Sequence, residues 1–215
     1  MTTRIASLLF GLLLLPVHAG YSMAFYHQML GIRGTGTPQL ALLFGVTGYL
    51  AVHTFLKPPK KLYEAGQKIM NLFFLWMRGG KDVAKADKGK TKSVGFTELV
   101  PYVVPIYTIL VTIIYGAASM FTDVAPWTKW FFFALGFTMT FHLVYTVEAL
   151  KEKQSEMGWT VKLLNIGFVY WSNLLILVLV VNLVVPHLSV LEYVRGGFNE
   201  SYQIYKAIYD QLFVV

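Results

Sequence analysis

The chain has 215 residues, 56% hydrophobic and 13% charged, with 18 Lys+Arg against 11 Asp+Glu and no cysteine. Soluble domains average about 25% charged residues, so a disordered chain, a coiled coil and an ordinary soluble enzyme are excluded; the missing thiol excludes disulfides, thiolate catalysis and cysteine-ligated metals. The net charge of +7 reports orientation and contact with anionic headgroups in a membrane protein, and no Lys/Arg stripe interleaved with aromatics points to nucleic acid.

Long intervals between charges predict membrane-crossing helices, since a span needs about 20 mostly apolar residues and single strands would leave their backbone unpaired in lipid. Arg4 and Arg33 enclose the first, over residues 5–29. Its Leu-rich stretch and Val17-His18-Ala19 also read as a secretory signal with a small-residue cleavage site, but apolar character continues through residues 21–26, which favours a retained span over removal of residues 1–19. The second span covers residues 38–56. Residues 61–77 follow with Lys61, Glu64 and Lys68 ahead of a short apolar run, the pattern of an amphipathic or re-entrant half-helix, stopped by Gly79-Gly80. Residues 81–97 are polar around Asp87-Lys88-Gly89, a turn signal that predicts a small cytoplasmic hairpin.

Three further spans are expected over residues 99–121, 130–147 and 163–186, the fourth in the chain being the shortest. Pro101 and Pro105 stand at i, i+4 in the third, where proline frees carbonyls and kinks a helix. Gly196-Gly197 should break the chain, leaving residues 198–215 as an amphipathic helix with Asn199 as cap and Tyr202, Tyr205, Ile208, Tyr209 and Leu212 at helical spacing. The expected fold is therefore all-α and polytopic: about five transmembrane helices, the half-helix, the hairpin and the C-terminal amphipathic helix.

If the half-helix does not cross, 14 of the 18 Lys+Arg collect on one side, leaving Arg33, Lys129, Arg195 and Lys206 on the other. The positive-inside tendency then puts the N-terminus in the cytoplasm and the C-terminus outside, in a bacterial inner membrane.

Several segments together resemble a known family. Lys57-Pro58-Pro59, Leu62-Tyr63, Gly66, Trp76, Gly79-Gly80-Lys81 and Pro101-Tyr102-Val103-Val104-Pro105-Ile106-Tyr107-Thr108 occur in that order, followed by Phe141-His142-Leu143, Thr146, Glu148-Ala149-Leu150, Gln154 and Asn173. This order, over most of residues 38–185, resembles small bacterial relatives of the site-2 protease type of intramembrane zinc metalloprotease. The resemblance implies that Gln67, Lys68 and Asn71 occupy the places of the first zinc ligand, the catalytic glutamate and the second ligand. Amides are poor zinc ligands beside imidazole, and a lysine cation would repel the metal. It thus implies the fold without the activity: a pseudoprotease with no zinc, retained to bind another integral membrane protein, with His142, Pro101, Tyr102 and Pro105 as candidate binding residues and residues 81–97 as an edge that captures an extended segment. Read without the resemblance, residues 62–76 are an amphipathic juxtamembrane helix with Gln67 and Asn71 in headgroup water, and residues 81–97 a solvated basic loop.

A second function class rests on the histidines. His18, His53 and His142 fall inside spans, where imidazole ligates haem or a chlorophyll-type pigment or bonds a neighbouring carbonyl. No inverted repeat or mid-span charge suggests a transporter. In the tail, Tyr202, Tyr205 and Tyr209 suit a protein contact, because a tyrosine ring is apolar and its hydroxyl stays wet. Glu192, Glu200 and Asp210 against Arg195 and Lys206 also give the tail no basic face for anionic lipid.

Overall fold

A computed structural model describes residues 2–31, 38–58, 60–77, 102–153, 159–184 and 189–213. These residues form seven α-helices: α1 (Thr2–Gly31), α2 (Pro38–Leu56), α3 (Lys60–Met77), α4 (Ile106–Ser119), α5 (Thr128–Lys153), α6 (Trp159–Val184) and α7 (Val190–Phe213), with a 3-10 turn at Ala125–Trp127. The fold is all-helical as expected. Pro38–Leu56, Ala125–Lys151 and Lys162–Val184 are long and apolar enough to cross a membrane. The expected hairpin over residues 81–97, Gly79-Gly80 and Pro101 lie outside the described residues.

Three elements differ from the sequence expectation. The fourth predicted span, thought shortest, is a 26-residue helix. Intervals between charges undercount it because Lys129, Glu148, Lys151 and Lys153 are themselves helical, and long charged side chains at helix ends extend towards water. Within the third, expected over residues 99–121, the described residues are helical at Tyr102 and Val103, leave the helix at Val104 and Pro105, and resume as a helix of 14 residues, about 21 Å at 1.5 Å per residue. Pro105 does not kink it; it is the residue before the helix, with φ −79° and ψ 81°, where its missing N–H interrupts no helical bond. The expected break at Gly196-Gly197, with a separate helix over 198–215, is absent: α7 runs through both glycines.

The physical reason is the partner that α7 meets. It packs along α1, and a Cβ on Gly197 would lie 2.8 Å from Cγ of the Tyr21 ring, while one on Gly20 would lie 2.8 Å from the Ser201 Cα. Small residues let helix backbones approach closely, so these glycines serve a crossing. The pairings run antiparallel: Gln28 Nε2 donates to the Ser189 carbonyl at 2.9 Å, Ala24 meets Gly196, and the Tyr205 hydroxyl donates to the Leu13 carbonyl. The tail therefore turns back along α1 instead of lying apart from the spans.

The other pairings set helix direction. Gly11 meets Leu163 and His18 meets Gly167, so α1 and α6 advance in parallel. Gly45 meets Phe133, Tyr49 meets Phe137 and His53 meets Tyr145, so α2 and α5 are also parallel. Thr108 bonds Thr138 and Tyr115 bonds Thr128, which makes α4 antiparallel to α5. The central core joins Met29, Phe132, Leu135 and Val181; a second, aromatic cluster joins Tyr49, Tyr63, Phe141 and Tyr145. It is this aromatic cluster that holds α3 in place.

Candidate functional site

Lys57 closes α2 with φ 44°, the left-handed region that non-glycine residues rarely enter, and its N–H donates to the His53 carbonyl at 3.2 Å. The chain turns there, and the Tyr145 hydroxyl donates to the Pro58 carbonyl. These contacts anchor the start of α3. Tyr63, Gly66 and Met70 are buried at i, i+3 and i+7, which is one helical face. Gly66 is required for the approach to α4, since a Cβ there would lie 2.9 Å from Ile106 Cγ2 and 3.0 Å from the Tyr107 ring. The Tyr107 hydroxyl donates to the Leu62 carbonyl at 2.6 Å across the same contact.

Gln67 lies at the edge of this face. Its Nε2 donates to the Tyr63 hydroxyl at 2.7 Å, and the Tyr63 hydroxyl bonds Thr146 Oγ1 at 2.9 Å. Either hydroxyl can donate in the Tyr63–Thr146 bond. Burial pushes the Tyr63 phenol up to about 12, against the opposing effect of the Thr146 and Gln67 bonds, so it stays neutral. His142 is 4% exposed; its Nε2 lies 3.0 Å from the Tyr102 carbonyl and 3.4 Å from Thr146 Oγ1. A carbonyl only accepts, which assigns the proton to Nε2. Tyr63, Gly66, Gln67, Val104, Tyr107 and His142 line a small space of about 10 Å³.

The structure thus brings Gln67, His142 and the Tyr102 backbone to one place, with Pro105 fully buried nearby at the head of α4. It does not bring Lys68 and Asn71 there: both are exposed, because they fall outside the inner face of α3. Among the described residues no three of His, Cys, Asp and Glu are grouped to hold a metal. Tyr63 and Thr146 carry the network, although the sequence reading cited them only within motifs. The signal was present as two i, i+4 pairs, Tyr63 with Gln67 and His142 with Thr146.

The remaining histidines are separate. His18 Nδ1 bonds the Leu14 carbonyl at 2.7 Å, and its ring borders an apolar groove of about 540 Å³ between α1, α6 and α7. Gly167 is small for that reason: a Cβ would lie 2.9 Å from His18 Nε2. His53 Nε2 lies 3.6 Å from Glu148 Oε1, and its Nδ1 lies 3.4 Å from the Tyr49 hydroxyl. In the tail, Tyr202 and Tyr209 are exposed, whereas Tyr205 is turned to α1 by its bond to Leu13. The three tyrosines therefore do not form one free surface.

No family model, curated protein or solved structure matches this chain.

Proposed function

We propose that the chain is a catalytically inactive, site-2-protease-like protein of a bacterial inner membrane, which binds another integral membrane protein as scaffold, regulator or accessory subunit. The observation that carries this reading is Gln67. The residue at the first-ligand position is bonded to Tyr63 in a small space beside His142, so a hydrogen bond stands where the resemblance implies metal chemistry. The outer face of α3 supplies a surface for a partner helix, with Ile69, Leu72 and Trp76 each more than half exposed.

The test uses the full chain in mild detergent. After incubation with zinc and dialysis, elemental analysis should find far less than one zinc per chain; one zinc per chain, lost on Gln67→Ala, overturns the inactive reading. A photo-crosslinking residue at Trp76 in native membranes should give a discrete adduct with one other membrane protein. Adducts with lipid alone overturn the scaffold role.

Five alternating crossings, with α3 held on the cytoplasmic side, agree with the helix directions: α1 parallel to α6, α2 parallel to α5, α4 opposed to α5. The charge bias puts the N-terminus inside. The antiparallel path of α7 then carries Phe213 back towards that side, which favours a cytoplasmic end for α7 over the external C-terminus expected from the sequence. Lys88→Cys should react with a membrane-impermeant maleimide only after cells are permeabilised; labelling in intact cells reverses the orientation.

A haem- or chlorophyll-type pigment is the second reading, and only His18 gains support for it, from the groove it borders. Visible absorption in the purified protein, abolished by His18→Leu, would favour it; a colourless protein from pigment-replete cells removes it.

A further inference from the structure

The net charge is not spread over the chain. Residues 57–92 hold 10 Lys+Arg against 3 Asp+Glu, and the remainder holds 8 against 8, so the whole excess of +7 belongs to this one stretch. Its described part is the turn at Lys57 together with α3, and α3 has three distinct sides. Tyr63, Gly66 and Met70 are buried. Leu62, Ala65, Ile69, Leu72 and Trp76, at steps of three and four residues, form an exposed apolar stripe. Lys61, Glu64, Lys68 and Asn71, at the same steps, form an exposed polar stripe, about 100° further round the helix. No hydrogen bond or ion pair ties the side chains of Lys57, Lys61 or Lys68 to another described residue.

α3 lies across the bundle and not along it. Tyr63 meets α5 at Phe141, His142, Tyr145 and Thr146. Gly66 instead meets Ile106 and Tyr107 at the head of α4, and Met70 lines the same small space as Val104. The helix begins just past Leu56, where α2 ends, and α2 is long and apolar enough to cross a membrane. A helix with lysines on its polar side and Leu and Trp on its apolar side suits the boundary between headgroups and acyl chains.

We propose that Lys57, Lys61 and Lys68 form a binding site for the phosphate groups of anionic phospholipid. The site rests on the membrane reading of the chain, not on the inactive-protease reading. Leu62, Ile69 and Trp76 enter the acyl layer, the layer from which a partner helix also reaches them, and so turn the lysine stripe towards the headgroups. Each lysine stem covers apolar surface while its ammonium extends to the phosphate. The occupant is anionic because the positive charge of this stretch is unbalanced, and each lysine close to such a surface adds about fivefold in affinity. Glu64 stands between Lys61 and Lys68 and opposes the same anion.

The full chain, purified in mild detergent, is offered equal amounts of phosphatidylglycerol and phosphatidylcholine, and the retained lipids are counted by native mass spectrometry. Phosphatidylglycerol should be retained at least tenfold over phosphatidylcholine. The double substitution K61Q/K68Q should lower that ratio at least tenfold, Glu64→Gln should raise it about fivefold, and Lys206→Gln in α7 should leave it unchanged. Damage to the fold would not move the lysine and glutamate variants in opposite directions. In phosphatidylglycerol vesicles, a nitroxide at Leu72→Cys should be reached by oxygen dissolved in the lipid, and one at Asn71→Cys by a water-soluble nickel chelate. A photo-crosslinking residue at position 68 in native membranes should capture lipid. Equal retention of the two lipids, an equal loss with Lys206→Gln, equal accessibility at 71 and 72, or capture of a protein at 68 would each overturn the site. The partner-helix reading is decided separately, at residue 76.

Discussion

Gly45→Ala and Gly136→Ala are each expected to lower the thermal midpoint of the purified protein by about 5 °C or more, and isoleucine at either position to leave little folded protein. The two glycines face opposite backbones where α2 crosses α5. A Cβ on Gly45 would strike the Phe133 carbonyl oxygen and lie 2.8 Å from the Phe137 nitrogen; one on Gly136 would strike the Leu42 carbonyl oxygen and lie 3.2 Å from the Val46 nitrogen. Backbone atoms of a continuous helix cannot rotate aside as a side chain can, so the helices must part along their whole contact. Overpacking of this kind costs about 1–3 kcal/mol, and 1 kcal/mol moves the midpoint of a chain this size by about 2–4 °C. Gly116→Ala is the internal control. It sits in α4 with nothing within 4 Å of the added carbon, and alanine is favoured over glycine in a helix by about 0.5–1 kcal/mol, so its midpoint should hold or rise. A fall at Gly116 equal to that at Gly45 would mean that flexibility, not close approach, explains these glycines.

Gly20→Val is expected to release α7 from α1 without unfolding α2 and α5. The added Cβ would lie 2.5 Å from the Ser201 nitrogen and 2.8 Å from its Cα, again backbone. Ser201 is buried and its hydroxyl bonds the Gly197 carbonyl at 2.6 Å, so a cysteine placed at 201 is protected while the crossing holds. In detergent, Ser201→Cys alone should react slowly with maleimide, and Gly20→Val combined with Ser201→Cys at least tenfold faster. Gly31→Val, where nothing lies within 4 Å, should leave the slow rate unchanged. Equal rates in all three proteins would show that α7 is not held at this crossing.

Much of the fold was legible from local signals. Residues 38–56 carry no charge between flanking Arg33 and Lys57, and the helix ends at Leu56 as expected. The half-helix over 61–77 is α3 within one residue, because lysines at one end and an apolar face were enough to define it. Pro105 was legible as an irregularity but not as to kind: the same missing N–H marks a kink inside a helix or a residue ahead of one, and only the backbone around it distinguishes them. Of the candidate site, the resemblance singled out Gln67 and His142, which do line one small space. It also singled out Lys68 and Asn71, which point away. An i, i+4 spacing states that Gln67 and Asn71 are neighbours, not which of them faces the bundle.

By itself the sequence determined that the chain is helical and apolar enough to cross a membrane, because helix formation, hydropathy and charge are properties of adjacent residues. Only the tertiary structure decided the meaning of the glycines and the fate of the tail. Gly196-Gly197 reads as a break when water surrounds it, since glycine gains most freedom by leaving a helix. Against the Tyr21 ring it becomes the one residue that lets α7 stay helical and close to α1. That choice is made by contacts between residues some 175 positions apart, and no local pattern carries them.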